Sequence, residues 1–262
     1  MSKWIQALIV AGSIVVTANS QAAAILVLGD DNSESVISPY LESLGHSVTS
    51  NSNYYDWDGT MSADTEVVLY LYGYDYGYGL GEYGDPVAAN QSLLDFVTGG
   101  GGLIFTEWYA YEEMSVVEEP VSALMPVTYN DEYYYEASWN VSSGYEDHDL
   151  VKGLLSTSFT EGDGNEDTYS DVIAKDGTVV VMEDDGGIPL LSYSNVYGGT
   201  VVHINDGLTY GDGIVSDEML SVINSSVKFA ATSVLVPEPA SLGIFGLSLA
   251  AIGLSRRKKK TS

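Results

Sequence analysis

Four consecutive glycines, Gly99-Gly100-Gly101-Gly102, feed Leu103-Ile104-Phe105, and the run stops abruptly at Thr106-Glu107-Trp108. Glycines end a helix and turn the chain without steric cost. A short unbroken apolar run bounded by turn residues is the pattern of a strand buried on both faces. Comparable runs lie on either side in the chain: Ile25-Leu26-Val27-Leu28-Gly29, Glu66 to Tyr72, Thr178 to Met182, and the pair Ile188 to Ser194 and Thr200 to Ile204 around Tyr197-Gly198-Gly199. Gly99 to Trp108 is therefore predicted to form a central strand.

Helical spacing fills the gaps between these runs. Val36, Ile37, Tyr40, Leu41 and Leu44 recur with that period up to Gly45, Leu93, Leu94 and Val97 line one face of Pro86 to Thr98, and Leu220, Ile223, Val227 and Ala230 form the stripe of a helix beginning near Ser216. Pro39 falls inside the first of these, so that helix is predicted to start near Ser38 or to kink there. Tyr109 to Leu124 reads as an acidic helix, and Tyr129, Tyr133, Tyr135 and Trp139 alternate as in a hairpin. Strands alternating with helices predict an α/β fold of three layers, flavodoxin-like, with a mostly parallel sheet and a late β-hairpin.

The two ends carry a different signal. Residues 1–24 have a basic start at Lys3, an apolar run from Ile5 to Val16 and small residues at the end, where Ser20-Gln21-Ala22 and Ala22-Ala23-Ala24 both fit a cleavage site. They read as a signal peptide, with residues 25–235 as one α/β domain. Residues 236–260 hold Pro237-Glu238-Pro239, an apolar run from Leu242 to Leu254, and the basic cluster Arg256-Arg257-Lys258-Lys259-Lys260. Prolines keep the junction extended. The apolar stretch is short against the roughly 20 residues of a full span, and the basic cluster stays cytoplasmic.

Composition narrows the chemistry. The formal charge is −28, and five of the nine basic residues sit in that terminal cluster. The body keeps Lys152, Lys175 and Lys228 alone, so it repels phosphate backbones and argues against nucleic acid as a partner. There is no cysteine, which excludes disulfides and thiol nucleophiles. Twenty tyrosines against five phenylalanines point to aromatic surfaces as well as core, above all in the Tyr/Gly tract from Gly73 to Gly84, read here as sticky rings on a flexible loop.

The tail resembles a PEP-CTERM sorting signal in its Pro-Glu-Pro motif, short apolar helix and basic cluster. That resemblance implies recognition and cleavage by an exosortase, a transient inner-membrane tether, and final placement at the surface or outside a Gram-negative cell that makes an exopolysaccharide. The body resembles the class I glutamine amidotransferase-like superfamily, nearest to its ThuA-like branch. The resemblance is carried by Ile25 to Gly45, Glu66 to Tyr72, Gly100 to Phe105 leading to Glu107, His148 to Leu154, and Pro189 to Asp206. Relatives place a cysteine nucleophile at the elbow after the strand matching Leu103 to Phe105. Here Thr106, Glu107 and Trp108 stand there, so cysteine-dependent amide hydrolysis cannot operate. His203 and Asp206 match only superficially the late His and acid of that site.

In a parallel sheet the strand tips share one edge. Asp30, Asp31, Tyr74, Asp75, Glu107, Trp108 and Asp206 are the tip residues. Rings that stack on a sugar face beside carboxylates that accept hydroxyl protons make a glycan-binding surface. Two functions follow as expectations. One is a non-enzymatic surface or biofilm-matrix protein that binds exopolysaccharide or another matrix component, with Asp31, Tyr74, Asp75 and Trp108 as ligand contacts. The other is a glycan hydrolase or sugar-modifying enzyme using Glu107, Asp30, His203 and Asp206. Asp163, Asn165 and Asp167 alternate like calcium ligands, but Thr168 stands where the loop needs glycine and no Glu closes it. No cofactor is expected, and only a looser calcium contact stays open.

Overall fold

A computed structural model describes residues 22–29, 33–71, 77–106, 109–111, 120–134, 136–161, 169–208 and 215–232. The strands are β1 (Ala24–Leu28), β2 (Ser47–Asn51), β3 (Val67–Tyr70), β4 (Gly102–Thr106), β5 (Val127–Tyr134), β6 (Ala137–Val141), β7 (Ser158–Glu161), β8 (Tyr169–Ala174), β9 (Val179–Glu183), β10 (Pro189–Ser194) and β11 (Val201–Ile204). The helices are α1 (Ser33–Ser43), α2 (Pro86–Thr98) and α3 (Asp217–Thr232).

The apolar runs became buried strands. Nine of the strands form one mixed sheet in the order β2-β1-β3-β4-β11-β10-β9-β6-β7. Its first five strands are parallel, and from β10 onward every pairing is antiparallel. The central strand is β4, held between β3 and β11. The late hairpin is β10 with β11, as the glycines at Gly198 and Gly199 predict. Alternation along each strand divides the core between the two faces. Ile25, Val27, Leu69, Ile104 and Val202 meet Ile37 and Leu41 of α1 and Met219, Val222, Ile223 and Val227 of α3. Leu26, Leu28, Val68, Tyr70, Leu103 and Phe105 meet Ala89, Leu93 and Val97 of α2. These are the three layers.

Helix ends follow their sequences. Asp85 accepts the Ala88 N–H at 3.0 Å and Pro86 opens α2. Gly100 takes φ +103°, and Gly101 N–H returns to the Phe96 carbonyl at 2.9 Å. Gly102 has a packing role as well. A Cβ there would lie 2.7 Å from Ala230 Cβ, so the bare backbone lets α3 seat directly on the central strand. Ser216 caps α3 by accepting from Met219 N–H at 3.0 Å, and its hydroxyl donates to Glu161 at 2.6 Å. Burial raises the Glu161 carboxyl above its ordinary range, against the lowering effect of that hydrogen bond.

Two expectations are corrected. The first helix runs from Ser33 to Ser43 with Pro39 inside it, so it starts well before Ser38, and the Pro39 ring lies on its exposed face. Residues 126–144 do not pair as a hairpin. Instead β5 pairs with β8 in a separate two-stranded sheet, while β6 joins the main sheet between β9 and β7. The reason is burial: Val127 and Val172 enter the α2-side core, whereas Ala137 and Trp139 enter the other, Trp139 stacking on Phe159 at 5.6 Å. At the start, β1 begins at Ala24 and Ala23 is already buried. The acidic helix read at Tyr109 to Leu124 is described only at its ends, with helical turns at 109–111 and a 3-10 turn at Pro120–Leu124.

Candidate functional site

The parallel strands run in the order β2-β1-β3-β4-β11, so the chain reverses direction across the sheet between β1 and β3. Open α/β sheets bind ligands at the carboxyl ends of the strands beside such a reversal. Asp30, Asp31, Tyr74, Asp75, Glu107 and Trp108 lie outside the described residues, as do Asp163, Asn165, Asp167 and the Pro237-Glu238-Pro239 motif. Among the described residues no group of three or more His, Asp or Glu is placed to hold a metal, and no helix is long and apolar enough to cross a membrane.

His203 and Asp206 are described, and the structure keeps them apart in role. His203 lies within β11, in register with Phe105 of β4 and Ser192 of β10. Its ring is fully buried, and among the described residues neither ring nitrogen has a hydrogen-bond partner. Burial, with a smaller push from Lys175, lowers its pKa to about 3, so it is a neutral imidazole at pH 7. Asp206 lies beyond the strand and is also buried; its carboxylate accepts the Leu208 N–H at 2.8 Å and holds Leu208 at φ +54°. Between them Asn205, which the sequence did not single out, accepts from Ser170 N–H and donates to the Ser170 and Pro189 carbonyls at 2.8–3.0 Å, stapling β8 to β10. No periodicity marks such a residue in advance. His46 is buried with Nδ1 accepting from Ala23 N–H at 3.0 Å and its other nitrogen 3.2 Å from Asn224 Oδ1.

The carboxyl edge carries a feature that the sequence only hinted at. A column of aromatic rings rises from the sheet centre to the surface. Tyr109 stacks on Phe105 at 4.6 Å and lies 5.2 Å from Tyr70; Tyr70 meets Tyr54 at 5.4 Å, and Tyr54 meets Tyr55 at 5.4 Å. Tyr55 then meets Tyr78 at 5.2 Å and Tyr83 at 5.5 Å, and these two lie 5.4 Å apart. Tyr78 is 36% exposed and Tyr83 61%.

This surface triad is built on pinned backbone. Tyr54 N–H donates to the carbonyl of Gly29 at the tip of β1, Gly81 N–H to Tyr54 and Tyr83 N–H to Tyr55, all at 2.9–3.1 Å. Leu80 is fully buried between the two exposed tyrosines. Gly81 takes φ +69°, and a Cβ there would lie 2.7 Å from the Trp57 carbonyl oxygen. The segment Gly77 to Gly84 is thus not the flexible loop that its glycines suggest. Leu80, one apolar residue among glycines and tyrosines, was the available signal. The hydrogen bond between Tyr78 and Tyr83, then partial burial and the Glu82 and Asp56 carboxylates, push the Tyr83 phenol up to about 12. It therefore stays protonated, able to donate and to accept.

Comparison with known proteins adds two findings. Residues 235–258 match the PEP-CTERM protein-sorting motif, which implies export, processing by exosortase and cell-surface sorting in a bacterium. The body is similar in structure to a ThuA-like protein from Bacteroides uniformis, 12% identical over 86% of this chain and 97% of that one, with a TM-score of 0.56. It is also similar to PurLQS from Thermotoga maritima (10% identity, 80% and 99% covered, TM-score 0.51) and to a glutamine amidotransferase from the same organism (8%, 87% and 95%, 0.47). The sequence matches none of the curated proteins. The chain therefore joins a C-terminal sorting motif to a body with the ThuA and glutamine amidotransferase-like fold. With no cysteine in the chain, cysteine-based amide hydrolysis has no nucleophile here.

Proposed function

We propose that this is an exported surface or extracellular-matrix protein whose amidotransferase-like domain binds glycan of the exopolysaccharide layer at the carboxyl edge of its sheet. The observation that carries this reading is the rigid, partly exposed triad of Tyr55, Tyr78 and Tyr83 beside Asp56 and Glu82. Aromatic faces cover the apolar side of a sugar ring, phenols and carboxylates bond its hydroxyls, and a pinned loop loses little entropy on binding. The position next to the β1/β3 reversal agrees with where this architecture holds ligands. In affinity electrophoresis through gels containing the producing strain's exopolysaccharide, the wild-type chain is expected to be retarded. Tyr83→Ala is expected to weaken retardation by about tenfold in apparent affinity, the loss of one well-placed ring contact of about 1.4 kcal/mol. Equal mobility with and without polysaccharide contradicts the reading.

The same reading includes a secretory leader, and the fold supports one of the two cleavage sites. Ala23 is buried, its N–H donates to His46 and its carbonyl accepts from Ser47 at 2.9 Å, while Ala24 N–H donates to Glu66 at 3.0 Å. Cleavage after Ala24 would remove these bonds; cleavage after Ala22, at Ser20-Gln21-Ala22, keeps them. N-terminal sequencing of the exported protein is expected to begin at Ala23, and a start at Ile25 contradicts this.

A further inference from the structure

A chain bound for the outside of the cell has disulfides as its usual covalent reinforcement. This one has no cysteine and twenty tyrosines. The most exposed tyrosine among the described residues, Tyr83, lies with Tyr78 at a ring separation of 5.4 Å and an interplanar angle of 53°. The Tyr78 phenol lies close enough to act on the Tyr83 phenol, whereas the Tyr55 hydroxyl donates to Asn53 Oδ1 at 3.1 Å. The backbone between the pair is held by Gly79 N–H to the Glu82 carboxylate at 2.9 Å, Glu82 N–H to the Gly79 carbonyl at 3.1 Å, and the buried Leu80. The rings are therefore accessible to a reagent yet fixed against each other.

We propose that Tyr78 and Tyr83 form an oxidative coupling site, joined by a carbon–carbon bond between the ring positions next to their hydroxyls when a haem-type peroxidase and hydrogen peroxide supply the one-electron oxidant. Each phenol gives up one electron and its hydroxyl proton, leaving two phenoxyl radicals. These pair at one ortho carbon of each ring, and the hydrogen on each joined carbon then shifts to its oxygen, restoring both aromatic rings. The two electrons and two protons released reduce one hydrogen peroxide to two waters. The product is a biphenol with its two hydroxyls side by side. The two rings are already neighbours, with centroids 5.4 Å apart, before any oxidation. The link closes the segment Tyr78 to Tyr83 covalently and fixes the outer face of the aromatic column. The buried members of the column, Tyr54 and Tyr70, have no solvent-facing edge for a second coupling.

This proposal rests on ring geometry and not on glycan binding, and phenylalanine variants separate the two, because they keep the stacking rings and remove the phenol. The full chain is treated with hydrogen peroxide and a catalytic amount of haem peroxidase, then cut at glutamates. Glu82 lies between the two tyrosines, so the expected product is a pair of peptides, joined through Tyr78 and Tyr83, lighter than their sum by two hydrogens and showing biphenol fluorescence. That species is expected to be lost in Tyr78→Phe and in Tyr83→Phe and kept in Tyr55→Phe. Coupling that persists in Tyr83→Phe, or that joins only separate chains or other tyrosines, overturns the assignment.

Discussion

His203→Leu is expected to stabilise the protein, and to do so most at acidic pH. The imidazole is fully buried on β11 between β4 and β10, and among the described residues both nitrogens lack partners. A buried polar group left unpaired costs about 1–3 kcal/mol, and leucine fills a similar volume without that cost. The proton balance adds to it. The pKa falls from 6.5 in the unfolded chain to about 3 in the fold, so below about pH 6.5 the unfolded state binds a proton that the fold refuses. The stability His203 allows is fully present above about pH 6.5 and is lost progressively as pH falls towards 3. One pKa unit corresponds to about 1.4 kcal/mol, so the advantage of the leucine variant at pH 4 should exceed that at pH 7 by roughly 3 kcal/mol. His148 acts with the same sign, because burial lowers its pKa too, while Glu161, raised by burial, opposes it. Urea unfolding of both proteins at pH 7 and pH 4 measures the difference. A variant less stable than wild type, or a gap that does not widen in acid, would show that the ring is held by interactions other than those described.

Gly102→Val has the largest expected cost. The central strand touches α3 through a missing side chain: a Cβ at 102 would come within 2.7 Å of Ala230 Cβ and 2.9 Å of the Ala230 carbonyl group. Valine therefore has to push α3 off the sheet, parting Val222, Ile223 and Val227 from Ile104 and Val202. Overpacking of this kind costs about 3 kcal/mol. Ala230→Gly in the same chain removes the Cβ clash but leaves the backbone contact, so it should restore part of the loss. Thermal unfolding of the single and double variants checks both statements. A single variant as stable as wild type would mean that α3 is not seated on β4 as described.

The glycine run that sets up this contact was readable in the sequence, as was the strand it feeds. Leu103, Ile104 and Phe105 have no polar partner in the pattern, and only a strand covered on both faces accommodates them. The hairpin of β10 and β11 was equally plain from Gly198-Gly199 between two apolar runs. The antiparallel extension was not. β7 is Ser-Phe-Thr-Glu and β6 is Ala-Ser-Trp-Asn-Val, and neither is apolar enough to declare a strand or to name its partner. Pairing there depends on which core receives Trp139, a tertiary choice that local pattern does not encode. The candidate site shows the same division. The tyrosines of residues 77–84 read as sticky rings, yet glycine content argued for flexibility. Order comes instead from buried Leu80 and from backbone bonds of Gly81 to Tyr54 and of Tyr83 to Tyr55, partners nearly thirty residues away in sequence. His203 could be placed on its strand but not recognised as unpartnered, since that depends on Ser192 and Phe105 across the ladder.

The central claim is that the aromatic edge formed by Tyr55, Tyr78 and Tyr83 is a glycan-binding surface. Its most direct test is to label the tyrosine rings and follow their NMR signals while adding oligosaccharides cut from the producing strain's exopolysaccharide. The account predicts saturable shifts at Tyr55, Tyr78 and Tyr83, with the enclosed Tyr54 and Tyr70 moving little. No saturable change, or changes confined to tyrosines away from this edge, would contradict it.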